Sequence, residues 1–183
     1  MNSTYPPYRE WYPNFSQWNA AGVAYTFGLS PQDEMPQLAE WIAAPDSIVP
    51  DELQGQLESM RRLLKQRQYG WNEFEVAMGF IGPLLATVDF SGRHFGLFHQ
   101  RDLVLETEGK TTKGTVDGLV ALGNYEPKVP FFFLHEYKRS QGFDADPEGQ
   151  LLIAMVAAQH LKNDDQPMYG CYIVGTYWRF VLL

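Results

Sequence analysis

The sequence has one cysteine, Cys171, among 183 residues. A lone thiol cannot close a disulfide within the chain, which excludes a stapled secreted scaffold and makes a reducing, cytoplasmic setting the expectation. Cys171 lies in an apolar run, 169–174, and reads as a small buried side chain rather than a nucleophile, since no base is placed beside it. A serine nucleophile has no support either, because the chain contains no Gly-x-Ser-x-Gly turn. Long hydrophobic runs are missing too. No stretch is apolar for long enough to form a membrane-spanning helix, so no membrane role is expected. The opening MNSTYPPYREWYPNF has no basic start followed by an apolar core and is not read as a secretory signal.

Positive charge is scarce: 14 Lys and Arg stand against 22 Asp and Glu, a net charge of −8. Such a balance argues against broad, tight binding to a phosphate backbone. It leaves room for a local basic track, for which Lys110, Lys113, Lys138 and Arg139 are the candidates. The 4 histidines include His94 and His99, which have no metal-ligand spacing to a partner and read as exposed strand or turn residues. His160 suits the negative end of a helix.

Hydrophobic residues make up 45% of the chain and aromatics 15%, enough for a packed core. Residues 1–66 read as an aromatic N-terminal arm with a helical extension, and residues 67–183 as the core domain. In the arm, Tyr5, Tyr8, Trp11, Tyr12, Phe15 and Trp18 interleave with Pro6, Pro7 and Pro13, which prevent a regular helix. So many aromatics are expected to dock, on the domain or on a partner subunit. Ser30-Pro31 predicts the start of a helix carrying Leu38, Trp41 and Ile42 on one face. An amphipathic helix is expected over 51–68. Asn72 is placed to cap a further helix, holding Glu73 and Glu75 and running to Leu85. Residues 93–106 predict a strand or hairpin, with Gly109-Lys110-Thr111-Thr112 as a turn and Glu106 and Glu108 solvated. Strands are expected over 114–122 and 129–138, then a helix over 147–162 with Pro147 first. Two last strands, 168–174 and 177–183, should pair about Gly175-Thr176. The sequence stops within an apolar strand, so a further strand or helix is expected beyond it.

Two of the apolar strands carry acids. Asp117 interrupts 114–122, and 129–138 ends in Glu136, Tyr137 and Lys138. Period-two alternation puts Glu136 and Lys138 on one face. If the two runs are neighbours, Asp117 reaches the same face. Two carboxylates and an ammonium then form a site for Mg²⁺ or Mn²⁺, which take hard oxygen ligands and leave other positions to water and phosphate.

Asp117 followed by Glu136-Tyr137-Lys138 resembles the active-site signature of the PD-(D/E)XK nuclease superfamily. Three other parts occur in the family's order: Asn72-Glu73 ahead of Pro83-Leu84-Leu85, the two strands, and Gln150 in the first turn of a following helix. Val116 stands where the nominal proline would be. The resemblance covers roughly 67–183. It implies an α/β (α+β) restriction-endonuclease-like fold, a central mixed sheet flanked by helices. It also implies a metal-dependent nuclease acting on DNA, with Asp117, Glu136 and the Tyr137 carbonyl as metal ligands, Lys138 orienting the water and Glu73 adding a carboxylate. Gln150 would orient the site or the bound strand, and Glu73 fits the helix position better than Glu75. The rivals are a nuclease-like module that binds nucleic acid or protein without cutting, and a structural ion pair at a strand end. A homodimer, or a partner protein supplying basic surface, is left open.

Overall fold

A computed structural model describes residues 11–43, 49–90, 92–138, 145–162 and 166–183; for Phe131 and for 133–138 it describes the backbone alone. The fold is mixed α+β. Five strands, β1 (Phe95–Thr107), β2 (Lys110–Leu122), β3 (Val129–Lys138), β4 (Tyr169–Val174) and β5 (Tyr177–Leu182), form one sheet in sequence order. All neighbours are antiparallel except β3 and β4, which are parallel. A parallel pair needs a crossover, supplied here by helix α6 (Pro147–Lys162).

The turns follow from their residues. Glu108 and Gly109 both have positive φ, 48° and 73°, the pattern of a two-residue type I′ hairpin. The turn therefore comes one residue earlier than Gly109-Lys110 predicts, and Lys110 already belongs to β2. Gly175, at φ 58°, supplies the first central position of the β4–β5 turn. Ser30-Pro31 does not open a helix. Helix α2 begins at Pro36 and runs to Ile42, because a residue before proline is biased to extended backbone and Met35 sits at φ −137°, ψ 89°. Trp41 of α2 packs on the sheet through Phe132, Tyr169 and Phe180, with ring centroids 5.6, 5.0 and 5.1 Å away. Helix α3 spans Asp51–Arg67, with Met60 and Leu64 as its buried residues.

The sheet is covered on both faces. On one, Leu151, Ala154, Met155 and Ala158 of α6 meet Phe98, Leu103, Leu105, Val116, Leu119 and Ala121. The arm docks into this same core: Phe15 and Trp18 are buried, and Trp11 and Tyr12 pack against them. Its indole N–H groups find acceptors, Trp11 Nε1 donating to the Thr111 carbonyl at 2.7 Å and Trp18 Nε1 to Thr112 Oγ1 at 3.1 Å. Burying each such ring contributes about 1.5–3 kcal/mol, and the bonded N–H groups avoid the cost of desolvation. Tyr5 and Tyr8 lie outside the described residues. Residues 11–29 thus share one core with the sheet. On the other face Val76, Ile81 and Leu85 cover Cys171 and Ile173.

Asp146 ties two helices together. Its Oδ1 accepts from the N–H groups of Glu148 (3.0 Å) and Gly149 (3.2 Å) at the start of α6. Its Oδ2 accepts from Ala20 N–H (2.8 Å), the first residue of helix α1 (Ala20–Phe27). The two helix starts are in contact: a Cβ on Gly149 would stand 2.5 Å from the backbone of Asn19. Asp146→Ala is expected to destabilise by about 1–2 kcal/mol, lowering the thermal midpoint by about 2–8 °C. Asp146→Asn, which keeps one acceptor oxygen, should lose less.

Burial pushes the Cys171 thiol up from 9.0 to about 12. Burial, with the neighbouring Glu148 carboxylate, pushes the Tyr172 phenol from 10.0 to about 12. Both groups hold their protons more tightly folded than unfolded, so their contribution is complete below pH 9 and is lost as pH rises toward 12. The midpoint should therefore fall between pH 9 and pH 11. Thermal scans of Cys171→Ala across that range should show a shallower fall.

Candidate functional site

A cleft of about 570 Å³ opens between the helical segment that starts at Glu73 and the middle of the β1–β2 hairpin. Glu73, Phe74, Ala77, Met78, Ile81 and Gly82 line one wall, and His99, Gln100 and Asp117 line the other. The helical wall is built in three pieces, α4 (Glu73–Val76), a π-helical turn (Ala77–Ile81) and α5 (Gly82–Leu85). A single π turn within a helix widens the spacing of its side chains and is frequent at functional sites.

The start of α4 separates its two acids. Asn72 Oδ1 accepts from Glu75 N–H at 2.9 Å, and Glu75 Oε2 accepts from Asn72 N–H at 2.8 Å, a reciprocal capping box. Glu75 is thereby committed to the helix end, whereas Glu73 lines the cleft with Asp117.

Asp117 occupies a break in the hairpin. On β1 the core-facing residue is Phe98 before the break and Leu103 and Leu105 after it; on β2 the set changes from Val116 to Leu119 and Ala121. In each strand the inward positions shift by one residue. The shift falls at the same rung, where Gln100 has a left-handed φ of 51° and the pairing passes from His99↔Gly118 to Arg101↔Val116. Unbroken alternation from Leu119 would turn Asp117 into the α6 core. With the break, it lines the cleft on the opposite side.

Asp117 is held from β1. Gln100 Nε2 donates to its Oδ1 at 2.8 Å, and His99 Nδ1 lies 3.1 Å from its carbonyl oxygen. A carbonyl only accepts, so in this contact Nδ1 carries the proton. His99 is exposed, as expected from the sequence, yet it belongs to the cleft. Gln100, Phe74 and Met78 are further lining residues that no motif marks. Phe74 and Met78, 72% and 63% exposed, are large apolar groups left on the cleft wall.

The other expected site residues are distributed differently. The backbones of Glu136, Tyr137 and Lys138 close β3, with Tyr137 and Lys138 opposite Ile173 and Val174 of β4. Pairing of β2 with β3 reaches Gly118↔Leu134, one residue short of Asp117. The side chains of Glu136, Tyr137 and Lys138 lie outside the description, as does Arg139. Gln150 is in the first turn of α6 as expected, but it lines a different, smaller cleft of about 210 Å³ with Asn14, Ser16, Lys113 and Thr115. It is 7% exposed. Two members of the expected basic track are also elsewhere: Lys113 lines that second cleft, and the Lys110 ammonium lies 5.6 Å from the centre of the Trp11 ring.

Among the described residues no group of three His, Cys, Asp or Glu is close enough to hold a metal ion. The donor chemistry on the larger cleft, Glu73 with Asp117, still suits a hard cation, because Mg²⁺ is commonly held by one or two carboxylates with water and phosphate completing the shell. Among the described residues no helix is long and apolar enough to cross a membrane. No protein-family model, curated protein or solved structure matches the chain.

The two acids of α4 should separate experimentally. Glu75→Ala removes half of the capping box and should destabilise by about 0.5–2 kcal/mol. Glu73→Gln, which leaves the capping box intact, should lower the midpoint less, and paired thermal scans of the two variants check both.

Proposed function

We propose that the chain is a metal-dependent nuclease of the PD-(D/E)XK, restriction-endonuclease-like kind, hydrolysing phosphodiester bonds in DNA. The observation that carries this reading is the meeting of Glu73, from a capped helix, and Asp117, from the middle of a strand, on one cleft. The order of elements supports it: helix with Glu73, strand with Asp117, strand ending in Glu136-Tyr137-Lys138, crossover helix, parallel strand. That succession is what the sequence signature calls for.

The residues then have distinct tasks. Asp117 and Glu136, with the Tyr137 carbonyl, would hold Mg²⁺ or Mn²⁺, and Glu73 would add a third carboxylate from the helical wall. When bound, the ion supplies Lewis-acid polarisation of the scissile phosphate and stabilises the leaving oxygen. Lys138 orients the attacking water and offsets charge that builds on the phosphate oxygens. The water oxygen bonds to phosphorus as the bond to the leaving sugar oxygen breaks, the proton lost by the attacking water passing to solvent and the leaving oxygen taking one from solvent. Gln100 and His99 keep Asp117 aimed at the cleft. Gln150 lines the second cleft and, of its two expected tasks, is assigned to orienting the bound strand rather than the site.

Thermal unfolding with and without millimolar Mn²⁺, followed by a cleavage assay on single- and double-stranded DNA, tests the reading. A ligand at about 100 times its dissociation constant stabilises by roughly 2.7 kcal/mol, or about 5–11 °C for a chain of this size. The wild type should show such a rise and Asp117→Asn should not. Asp117→Ala and Lys138→Ala should each abolish cleavage while keeping the fold. Retained cleavage in both would remove the site from the reaction, and metal-dependent DNA binding without cleavage would favour a non-catalytic module.

A further inference from the structure

We propose that Gln100 is a positioning residue whose strained backbone and side-chain amide together set the metal affinity of the Asp117 carboxylate; this rests on the metal-site reading above. The chain has two described non-glycine residues with positive φ, Gln100 and Glu108. Glu108 is accounted for by its turn, since a type I′ hairpin requires that conformation. Gln100 has no turn to account for it. It lies inside a 13-residue strand, and its neighbours His99 and Arg101 both keep their ladder partners, Gly118 and Val116.

An L-residue with a Cβ is disfavoured at φ 51°, and glutamine lacks the short polar side chain that eases asparagine or aspartate into this region. Strain of this kind persists where the surrounding structure enforces it, and it gathers at functional sites. Here it has two local results. The inward set of residues changes by one on both strands, which turns Asp117 from the α6 core to the cleft shared with Glu73. The Gln100 amide then reaches Asp117 Oδ1 at 2.8 Å and fixes the rotation of the carboxylate. A donor to a ligating carboxylate acts as an outer-shell partner, and loss of such a partner typically weakens metal binding by about 10–100-fold.

Backbone strain and the amide bond can be separated by substitution. Gln100→Ala and Gln100→Gly both remove the amide, but only alanine keeps a Cβ at the left-handed position. Without metal, Gln100→Gly is expected to unfold about 2–4 °C above Gln100→Ala, the reverse of the usual ranking at an ordinary strand position. Both variants should need about 10–100-fold more Mn²⁺ than the wild type for half of the metal-induced rise in midpoint. Gln100→Asn, which tolerates the conformation but is one methylene shorter, should keep the fold and show the same weakened response. A residue with only a structural task would lose stability and leave the Mn²⁺ response unchanged. A wild-type Mn²⁺ response in any of the three variants overturns the positioning role, and Gln100→Ala as stable as Gln100→Gly overturns the strain. No response in the wild type overturns the metal-site reading and this proposal together.

Discussion

Parallel pairing of β3 with β4 is the constraint on which the fold depends. Antiparallel neighbours can be joined by a tight turn, but a parallel pair obliges the chain to leave the sheet and cross one face. The crossing element, α6, is consequently buried along much of its length, with Leu151, Ile153, Ala154, Met155, Ala157 and Ala158 all inside. A helix so enclosed cannot leave its first N–H groups to water, and Asp146 meets that need. The same carboxylate takes the first N–H of α1, which brings the segment following the arm against α6. Docking of Trp11, Tyr12, Phe15 and Trp18 is thus coupled to the crossover rather than added to a finished domain.

A sheet covered by helices on both faces leaves little room for a carboxylate. The cleft exists because the hairpin changes face at Gln100 and Asp117, while the helical wall opposite is loosened by its π turn. Each irregularity has its own cost, and they meet at one place. At several other places the local rules are obeyed: Pro147 opens α6, and Gly109 and Gly175 take left-handed positions in the two-residue hairpins. Two such irregularities facing one another are what give the cleft its room, and breaks in local rules of this kind are commonest where a fold serves more than its own stability.

Elements with strong local chemistry were legible in the sequence. Helix α6 and the β4–β5 hairpin fall where Pro147 and Gly175 put them, and α3 ends within one residue of the expected limit. The start of α2 was misplaced because Ser30-Pro31 offers a cap as good as any, and only the second proline, Pro36, denies helical backbone to Met35. Glu73 is favoured over Glu75 in the sequence by its place ahead of Pro83-Leu84-Leu85; in the structure Glu75 closes the capping box and Glu73 lines the cleft, a division that only the folded helix start reveals. Gln100 was invisible, since left-handed backbone is signalled by glycine or asparagine and glutamine signals nothing. Gln150 was placed on the right turn of the right helix, but sequence spacing does not say which side of the sheet that turn faces.

Among the described residues lining the cleft none is Lys or Arg, while two are acids, Glu73 and Asp117. The chain as a whole carries −8. A phosphodiester approaching such a wall is repelled, and more strongly as water is excluded and the effective dielectric falls. Lys110 is occupied over Trp11 and Lys113 belongs to the other cleft, so the basic residues of β2 do not offset that repulsion. On the nuclease reading proposed above, an anionic substrate becomes compatible with this site when a divalent cation, helped by Lys138, lies between it and the carboxylates, a bound cation being the largest local charge in such a site. On that reading, the acidity that argues against broad binding of nucleic acid makes binding of the strand and its hydrolysis depend on the same ion.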